Sequence, residues 1–197
     1  MKLVHINQLG VIICIFYLCS CTAPNENISK NYQLNKDAGV VLLSLTASGE
    51  CGYAYFTEFR EIYSSREYSL GMQDIGHERD WKKKKHDCPS ATNDYFGKLV
   101  AIEIPAGTYQ FFQFEGVSRN RRVFTEHEMN IKFTVKPGFI NYIGNLHFHV
   151  MRKSLVYSVN NMSKRDIPLF LNKYNQFNSQ NIIINTIHLK ATKTIPV

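Results

Sequence analysis

The sequence predicts a mainly β protein, an antiparallel β-sandwich of about seven or eight strands with one short C-terminal helix. Ile131, Phe133 and Val135 alternate with polar residues, the pattern of a strand with one buried face. Pro-Gly turns separate apolar runs, and no segment shows the strand–helix alternation of an α/β fold. With 197 residues and 44% hydrophobic side chains, the chain can bury one core.

The predicted strands run through a single domain of residues 39–197. The apolar run Val40 to Leu45 is joined by a small, polar junction to the aromatic run Gly52 to Phe59. Residues 65–96 lack periodicity and are predicted to form a long polar insertion. Further strands are predicted at Leu99–Ile104, Thr108–Phe114, Ile131–Val135, Ile140–Val150, Leu155–Val159 and Ile182–Ile187.

The strand after Pro137-Gly138 has alternating apolar and polar positions. We expect its buried face to consist of Ile140, Tyr142, Leu146, Phe148 and Val150, with a bulge or close backbone approach at Gly144. The opposite, solvated face is expected to carry Asn141, Asn145, His147 and His149.

A helix is predicted near the C-terminal end. Asp166 stands where an N-cap is favoured, and Pro168 where proline is tolerated in a first turn. The segment Leu169 to Phe177 is long enough for about two and a half turns, so a short helix is expected there.

The first twenty residues have the pattern of a secretory signal. Leu9 to Leu18 is an apolar run of ten residues, too short for a membrane span, and it follows a basic start. It ends in Leu18-Cys19-Ser20-Cys21, which resembles the bacterial lipobox. This resemblance implies that residues 1–20 are removed and that Cys21 carries diacylglycerol as the first mature residue.

The residues after Cys21 are polar and rich in Asn. Residues 21–38 are therefore predicted to form a flexible tether. Thr22 stands where an Asp would retain a Gram-negative lipoprotein in the inner membrane, so the resemblance implies sorting to the outer membrane, facing the periplasm.

Two cysteines remain once the signal is removed and Cys21 is acylated. Cys51 and Cys88 would face an oxidising compartment, where a bridge between them would close a loop of about 38 residues and stabilise by roughly 4 kcal/mol. The alternative is a pair of unpaired thiols.

Two hairpin motifs carry a family resemblance. Ile104-Pro105-Ala106-Gly107-Thr108-Tyr109 and the segment from Phe133 to Leu146 resemble turns in small uncharacterised bacterial lipoproteins with a transthyretin-like or carboxypeptidase-regulatory-like β-sandwich. The similarity covers roughly residues 39 to 160. Because the shared motifs are turn sequences, the resemblance implies a fold and no activity.

His147 and His149 are the strongest candidates for a chemically functional site, a metal site. Residues at i and i+2 of a strand share a face, so the two imidazoles could bind one metal ion, with His127 as a further ligand. The alternative is a polar outer face without metal. The chain contains none of the common nucleotide, hydrolase or zinc-protease motifs, so no catalytic residue and no cofactor is predicted.

Positive charge is concentrated in the second half of the chain. Residues 101–197 contain 12 basic and 5 acidic side chains. Guanidinium and ammonium groups bind phosphate, so an anionic surface contact is predicted through Arg119, Arg121, Arg122, Arg152 and Lys153. An alternative is that these charges only solubilise a turn.

These features predict a lipid-anchored lipoprotein of the bacterial cell envelope. It is expected to act as a non-catalytic binding module whose partners are the membrane, through Cys21, and an envelope protein or anionic glycolipid. Export makes nucleic acid a poor partner. The alternative is a metal-binding protein or metal-dependent envelope enzyme that uses His147 and His149.

Overall fold

The computed structural model describes residues 28–49, 54–64, 66–73, 81–82, 96–117, 122–151, 154–187 and 193–196. The predicted signal peptide, the lipidation site Cys21 and the disulfide candidates Cys51 and Cys88 lie outside these residues. Within the described ranges, no helix is both long and apolar enough to span a membrane.

The described residues form twelve strands, one α-helix and one 3-10 turn at Ser179–Asn181. In chain order these elements are β1 (Ala38–Gly49), β2 (Ala54–Glu61), β3 (Glu67–Gln73), β4 (Trp81–Lys82), β5 (Phe96–Pro105), β6 (Gly107–Val117), β7 (Arg122–Phe124), β8 (Ile131–Val135), β9 (Ile140–Met151), β10 (Ser154–Asn160), α1 (Ser163–Lys173), β11 (Ile182–Ile184) and β12 (Lys193–Pro196).

The strands form two sheets, which confirms the predicted mainly β, sandwich-like fold with one short helix. Sheet A has the order β12-β10-β9-β1-β5-β4, with β11 also paired to β9. Sheet B has the order β3-β2-β6-β7, with β8 also paired to β6. The pairing is not antiparallel throughout, because β9 runs parallel to both β1 and β11. β1 and β9 are far apart in sequence, so no hairpin restricts their relative direction.

The main core lies between the two sheets and is rich in aromatic rings. Phe114 of sheet B stacks on Phe148 of sheet A, with ring centroids 4.1 Å apart. Phe59 stacks on Tyr68 at 4.9 Å, and both belong to or border this core. The alternating residues of β8 are buried at Ile131, Phe133 and Val135, as the sequence predicts.

A second, smaller core covers the outer face of sheet A. Val40, Leu42 and Tyr142 of the sheet pack there against Phe170 of α1. The helix buries one stripe, Asp166, Phe170 and Tyr174, at a spacing of four residues.

The predicted start and end of the helix are wrong. The helix begins at Ser163, and the Met162 carbonyl accepts the N–H groups of Arg165 and Asp166. Asp166 therefore lies inside the first turns as a buried residue instead of capping them, and the helix ends at Lys173, before Phe177. Asp166 lies within the helix, where its carboxylate accepts hydrogen bonds from Ser44 and Tyr142 of the sheet beneath.

Residues 28–38, which the sequence assigns to the tether, pack on the domain. The Ile28 N–H donates to the Ala101 carbonyl of β5 at 3.1 Å, and the Ile28 side chain is buried in the second core. Tyr32 and Leu34 pack against the same core. The part of the predicted tether that precedes the domain is therefore residues 21–27.

Part of the predicted polar insertion is regular strand. Strand β3 pairs with β2 over seven residues, from Glu67 to Gln73, and buries Leu70 and Met72 in the main core. Tyr68, Leu70 and Met72 alternate with polar or small residues, a strand signal that the surrounding charged segment obscures.

Candidate functional site

A bulge at Gly144 divides strand β9 into two halves that face opposite ways. Gly144 has a φ of 113°, and the pairing of β9 with β1 shifts by one residue at this point. Ile140 and Tyr142 consequently face the second core, whereas Leu146, Phe148 and Val150 face the main core. The prediction that these five side chains share one face is therefore wrong, because a one-residue shift moves every later side chain to the other face.

The same bulge separates Asn141 from the histidines. Asn141 is fully buried and closes the turn between β8 and β9, where its Oδ1 accepts the Lys136 N–H at 2.9 Å. Its Nδ2 donates to the Lys136 carbonyl at 3.0 Å. The expected grouping of Asn141 with Asn145, His147 and His149 is therefore wrong.

Six polar side chains form a ladder on the outer face of sheet A, beyond the bulge. Each rung pairs a residue of β1 with one of β9. The rungs of this polar ladder are Ser44–Asn145, Thr46–His147 and Ser48–His149. The two imidazoles are half-buried and the other four side chains are buried, so the expectation of a solvated face is wrong.

The hydrogen bonds of the ladder have a direction. Asn145 Nδ2 donates to the Ser44 carbonyl at 3.1 Å and to Thr46 Oγ1 at 3.0 Å. The Thr46 hydroxyl has its shorter acceptor contact with His147 Nδ1, at 2.8 Å, against 3.3 Å to Asn145 Oδ1. If Thr46 donates across this shorter contact, a neutral His147 carries its proton on Nε2, since a neutral imidazole has one donor and one acceptor.

The same direction continues to the end of the ladder. His147 Nε2 lies 3.0 Å from Ser48 Oγ, and Ser48 Oγ lies 2.9 Å from His149 Nδ1. With this tautomer, His147 donates to Ser48, and Ser48 donates to His149. This leaves the proton of a neutral His149 on Nε2, for which the described part of the chain provides no acceptor.

The surroundings of His147 keep its ring neutral. Burial lowers the pKa of His147 from 6.5 to about 4, and the nearby charges of His149 and Arg165 act in the same direction. A neutral ring is the form that lets Thr46 donate across its shorter contact.

A buried carboxylate closes the other end of the ladder. Asp166 Oδ2 accepts the hydroxyl protons of Ser44 and Tyr142, each at 2.7 Å, and Arg165 Nε donates to Oδ1 at 2.7 Å. Arg165 also donates to Ser44 Oγ at 2.9 Å. Burial and the Asp166 carboxylate raise the pKa of Tyr142 well above its usual range, so Tyr142 stays a donor. This Asp166 cluster joins α1 to the centre of sheet A.

Ser48 and His149 resemble the first two members of a hydrolase triad, but no carboxylate of the described residues bonds to His149. In a triad a carboxylate orients the histidine through its second nitrogen. The carboxylate of this site, Asp166, bonds to Ser44, Tyr142 and Arg165 at the far end of the ladder. Ser48 is also 9% exposed and lies between the two rings. The geometry is that of a structural hydrogen-bond chain.

The three predicted metal ligands do not come together. His147 and His149 share one face, with Ser48 bonded between them. His127 is exposed in the segment between β7 and β8, on sheet B. Among the described residues, no group of three or more His, Cys, Asp or Glu side chains could hold a metal ion.

Of the five predicted anion-binding residues, Arg122 is the one whose side chain the structure describes. Its guanidinium is exposed and forms an ion pair with Glu115, with NH2 2.9 Å from Oε2. Arg119, Arg121, Arg152 and Lys153 lie outside the described residues.

Sequence reasoning missed the β1 half of the ladder and the Asp166 cluster. The alternation of Ser44, Thr46 and Ser48 with Leu45 and Ala47 was a signal for a polar face within an apolar strand. No comparable signal marked the Asp166 cluster, because Ser44 and Tyr142 are distant in sequence from Arg165 and Asp166.

Comparisons with known proteins leave the family open. The chain matches no protein-family model and no curated protein. Among solved structures, it is similar to a leucine-rich repeat protein from Bacteroides thetaiotaomicron, with 18% identity and a TM-score of 0.35. That match covers 57% of this chain and only 14% of the other. A likeness at this level supports no conclusion about fold or function.

Proposed function

We propose that the chain is a lipid-anchored protein of the bacterial cell envelope whose β-sandwich is a non-catalytic binding module. Lipidation at Cys21 would hold it in the outer membrane, facing the periplasm, where its partner is an envelope protein or an anionic glycolipid. The observation that carries the proposal is the position of Ile28, which is buried in the fold only seven residues after the lipobox cysteine. A lipobox directly followed by a folded domain is the organisation expected of an anchored module.

The polar ladder supports the non-catalytic part of the proposal. Its hydroxyl groups, and both ring nitrogens of His147, are bonded within the ladder. A buried serine whose histidine has no carboxylate partner within the described ranges is poorly suited to nucleophilic attack. We therefore assign the ladder to the stability of sheet A and expect binding to use other surfaces.

The lipid anchor is tested by blocking its maturation in a bacterial host. Cys21→Ala removes the thiol that would receive diacylglycerol, so we expect a larger precursor that is no longer lipidated, measured by gel mobility and intact mass. Globomycin, which inhibits the lipoprotein signal peptidase, should also leave a larger form. Cys19→Ala is the matched control, since Ala is common at that lipobox position, and it should be processed normally. Unchanged processing of Cys21→Ala would contradict the proposal.

The binding role is tested by crosslinking in intact membranes. A photoreactive residue at exposed Phe124 of sheet B should capture a discrete envelope component, and one at exposed Leu169 of α1 serves as the comparison. If both positions capture the same products, the contacts arise from random collision. That result would contradict a binding surface on sheet B.

A further inference from the structure

The link between the lipid and the domain is short. Six residues, 22–27, separate Cys21 from Ile28. An extended chain spans at most about 3.6 Å per residue, so the link reaches no more than about 25 Å. A domain of this length is about 40 Å across, from its expected radius of gyration. The side of the domain that carries Ile28 therefore has to stay close to the bilayer.

That side is the outer face of sheet A where α1 lies. The Ser29 carbonyl accepts a hydrogen bond from Gln176 Nε2 at 3.3 Å, just beyond the end of α1. The rings of Tyr32 and Phe177 are 6.4 Å apart. Ile28 and Phe170 share the second core. The docked segment 28–34 and α1 thus form one continuous surface, which we name the anchor face.

The exposed charge of the anchor face is mainly basic, with an apolar contribution; the exposed Glu103 of β5 lies beside the docked segment and accepts from Asn35 Nδ2 at 3.4 Å. Lys164 and Lys173 of α1 are exposed, and so is Lys30 of the docked segment. Leu169 stands between the two helix lysines with 39% of its surface exposed. Asp166, the acidic residue of α1, is buried and paired with Arg165. Lysines near an anionic lipid surface are attracted to it, and their stems can lie along apolar surface.

The outer face of sheet B has a different charge. Glu58, Glu67 and Glu115 lie close together there, and burial together with the charges of Glu67 and Glu115 raises the pKa of Glu58. Arg122 on this face is paired with Glu115, and Arg60 with Glu128 at 2.6 Å. The carboxylates named here are balanced by Arg60, Arg122 and the exposed Arg66 and Lys132, so this face is mixed in charge and attracts anionic headgroups less than a mainly basic face does.

We propose that the anchor face lies against the anionic phospholipid surface of the bilayer that holds Cys21, so that sheet B points away from the membrane. The lysines contact headgroup phosphates and Leu169 lies at headgroup level. This inference rests on the proposed lipidation of Cys21.

The test is hydrogen exchange of the full, lipidated chain. Exchange is compared between micelles of a neutral detergent and vesicles of phosphatidylethanolamine and phosphatidylglycerol. We expect peptides from segments 28–36 and 163–176 to exchange at least threefold more slowly on vesicles, and peptides from β2 and β3 to be unchanged. Equal protection on both faces, or none on either, would overturn the inference.

Two variants separate the causes of this protection. A flexible insert of twenty Gly and Ser residues between Asn25 and Glu26 removes the length restriction, and Lys164→Glu with Lys173→Glu removes the charge. Both should lose at least half of the α1 protection. Arg66→Glu with Lys132→Glu, an equal charge change at exposed positions of sheet B, should retain it.

Vesicle flotation distinguishes the inference from the proposed function. If the wild-type chain does not float, the lipid anchor is absent and the proposed function fails. If the wild type and all variants float but α1 gains no protection in any of them, the anchor stands and the orientation is wrong.

Discussion

His147 is a titratable side chain held inside a hydrogen-bond chain that favours its neutral form. In the tautomer assigned above, Thr46 donates to one ring nitrogen and Ser48 accepts from the other. A protonated ring would carry a donor on both nitrogens, so the Thr46 hydroxyl would have to donate to Asn145 Oδ1 across its longer contact of 3.3 Å. The burial that lowers the pKa of His147 therefore acts together with the geometry.

The first prediction concerns stability against pH. The pKa of His147 is lowered to about 4 in the folded state from 6.5, so the unfolded state binds a proton more readily between these values. The contribution of this group is present above pH 6.5 and is lost as the pH falls towards 4, by about 3 kcal/mol at most. His147→Gln should show a shallower fall in free energy of unfolding between pH 7 and pH 4.5 by urea titration.

A matched control separates this effect from general acid destabilisation. His127 is exposed on the other sheet, so His127→Gln should keep the wild-type pH dependence. Equal slopes for the wild type and His147→Gln would show that His147 does not cause the loss.

The second prediction concerns the Asp166 cluster. Asp166→Ala removes the acceptor of the Ser44 and Tyr142 hydroxyl groups and the partner of Arg165. Removing one member of a buried, bonded ion pair costs about 3 kcal/mol or more. We expect a loss of this order in the free energy of unfolding. Glu126→Ala, at an exposed carboxylate, should change it by less than about 0.5 kcal/mol. Similar values for both variants would contradict the assignment.

At the scale of elements, the single residue Gly144 determines which core each half of strand β9 packs into. The bulge at Gly144 lets the first half of the strand pack under α1 and the second half pack between the sheets. The polar ladder exists because the bulge turns Asn145, His147 and His149 to the outer face. Without the register shift, these three side chains would point into the aromatic core.

The third prediction compares two glycines with positive φ. A Cβ at Gly144 would lie 3.0 Å from Val159 Cγ1 and 3.1 Å from the Asn160 carbonyl, whereas one at Gly138 would meet nothing within 4 Å. Both substitutions strain the backbone, at about 1 to 2 kcal/mol. Gly144→Ala adds overpacking of about 1 to 3 kcal/mol. We expect Gly144→Ala to lower the thermal midpoint clearly more than Gly138→Ala; equal shifts would refute the close approach.

The elements that could be predicted from sequence are those whose signal is local. The alternation in β8 and the turn at Pro137-Gly138 depend on neighbouring residues, and both are found. The bulge at Gly144 was expected, but its consequence for the faces depends on the pairing with β1, which sequence does not reveal. The start of α1 was missed because Asp166 has its partners in distant strands. The same holds for the ladder: its β9 half was proposed from spacing, and its β1 half was not.

At the scale of the molecule, sheet A is organised around a long-range parallel pair. β1 and β9 adjoin across ten paired positions and bring Ser44 beside Asn145. The docked N-terminal segment and α1 then cover the part of the outer face that the second core occupies. Among the described residues, the outer face of sheet A is covered by the docked segment and α1, whereas the outer face of sheet B is formed by strands. The latter is the face that the inferred orientation leaves available to a partner.

The last prediction tests whether the docked segment is part of the domain. Ile28→Asp places a carboxylate in the second core, where burying it is unfavourable. Because the segment lies at the edge of the fold, we expect it to detach locally. The free energy of global unfolding should then fall by no more than the docking free energy of this segment. Limited trypsin digestion should then cleave after Lys30 and Lys36 several times faster than in the wild type, measured by mass spectrometry. Ser29→Asp adds the same charge at the next, exposed position and should digest like the wild type. If both variants are cleaved at the wild-type rate, Ile28 does not hold the segment, and the short reach inferred for the proposed lipid anchor no longer follows.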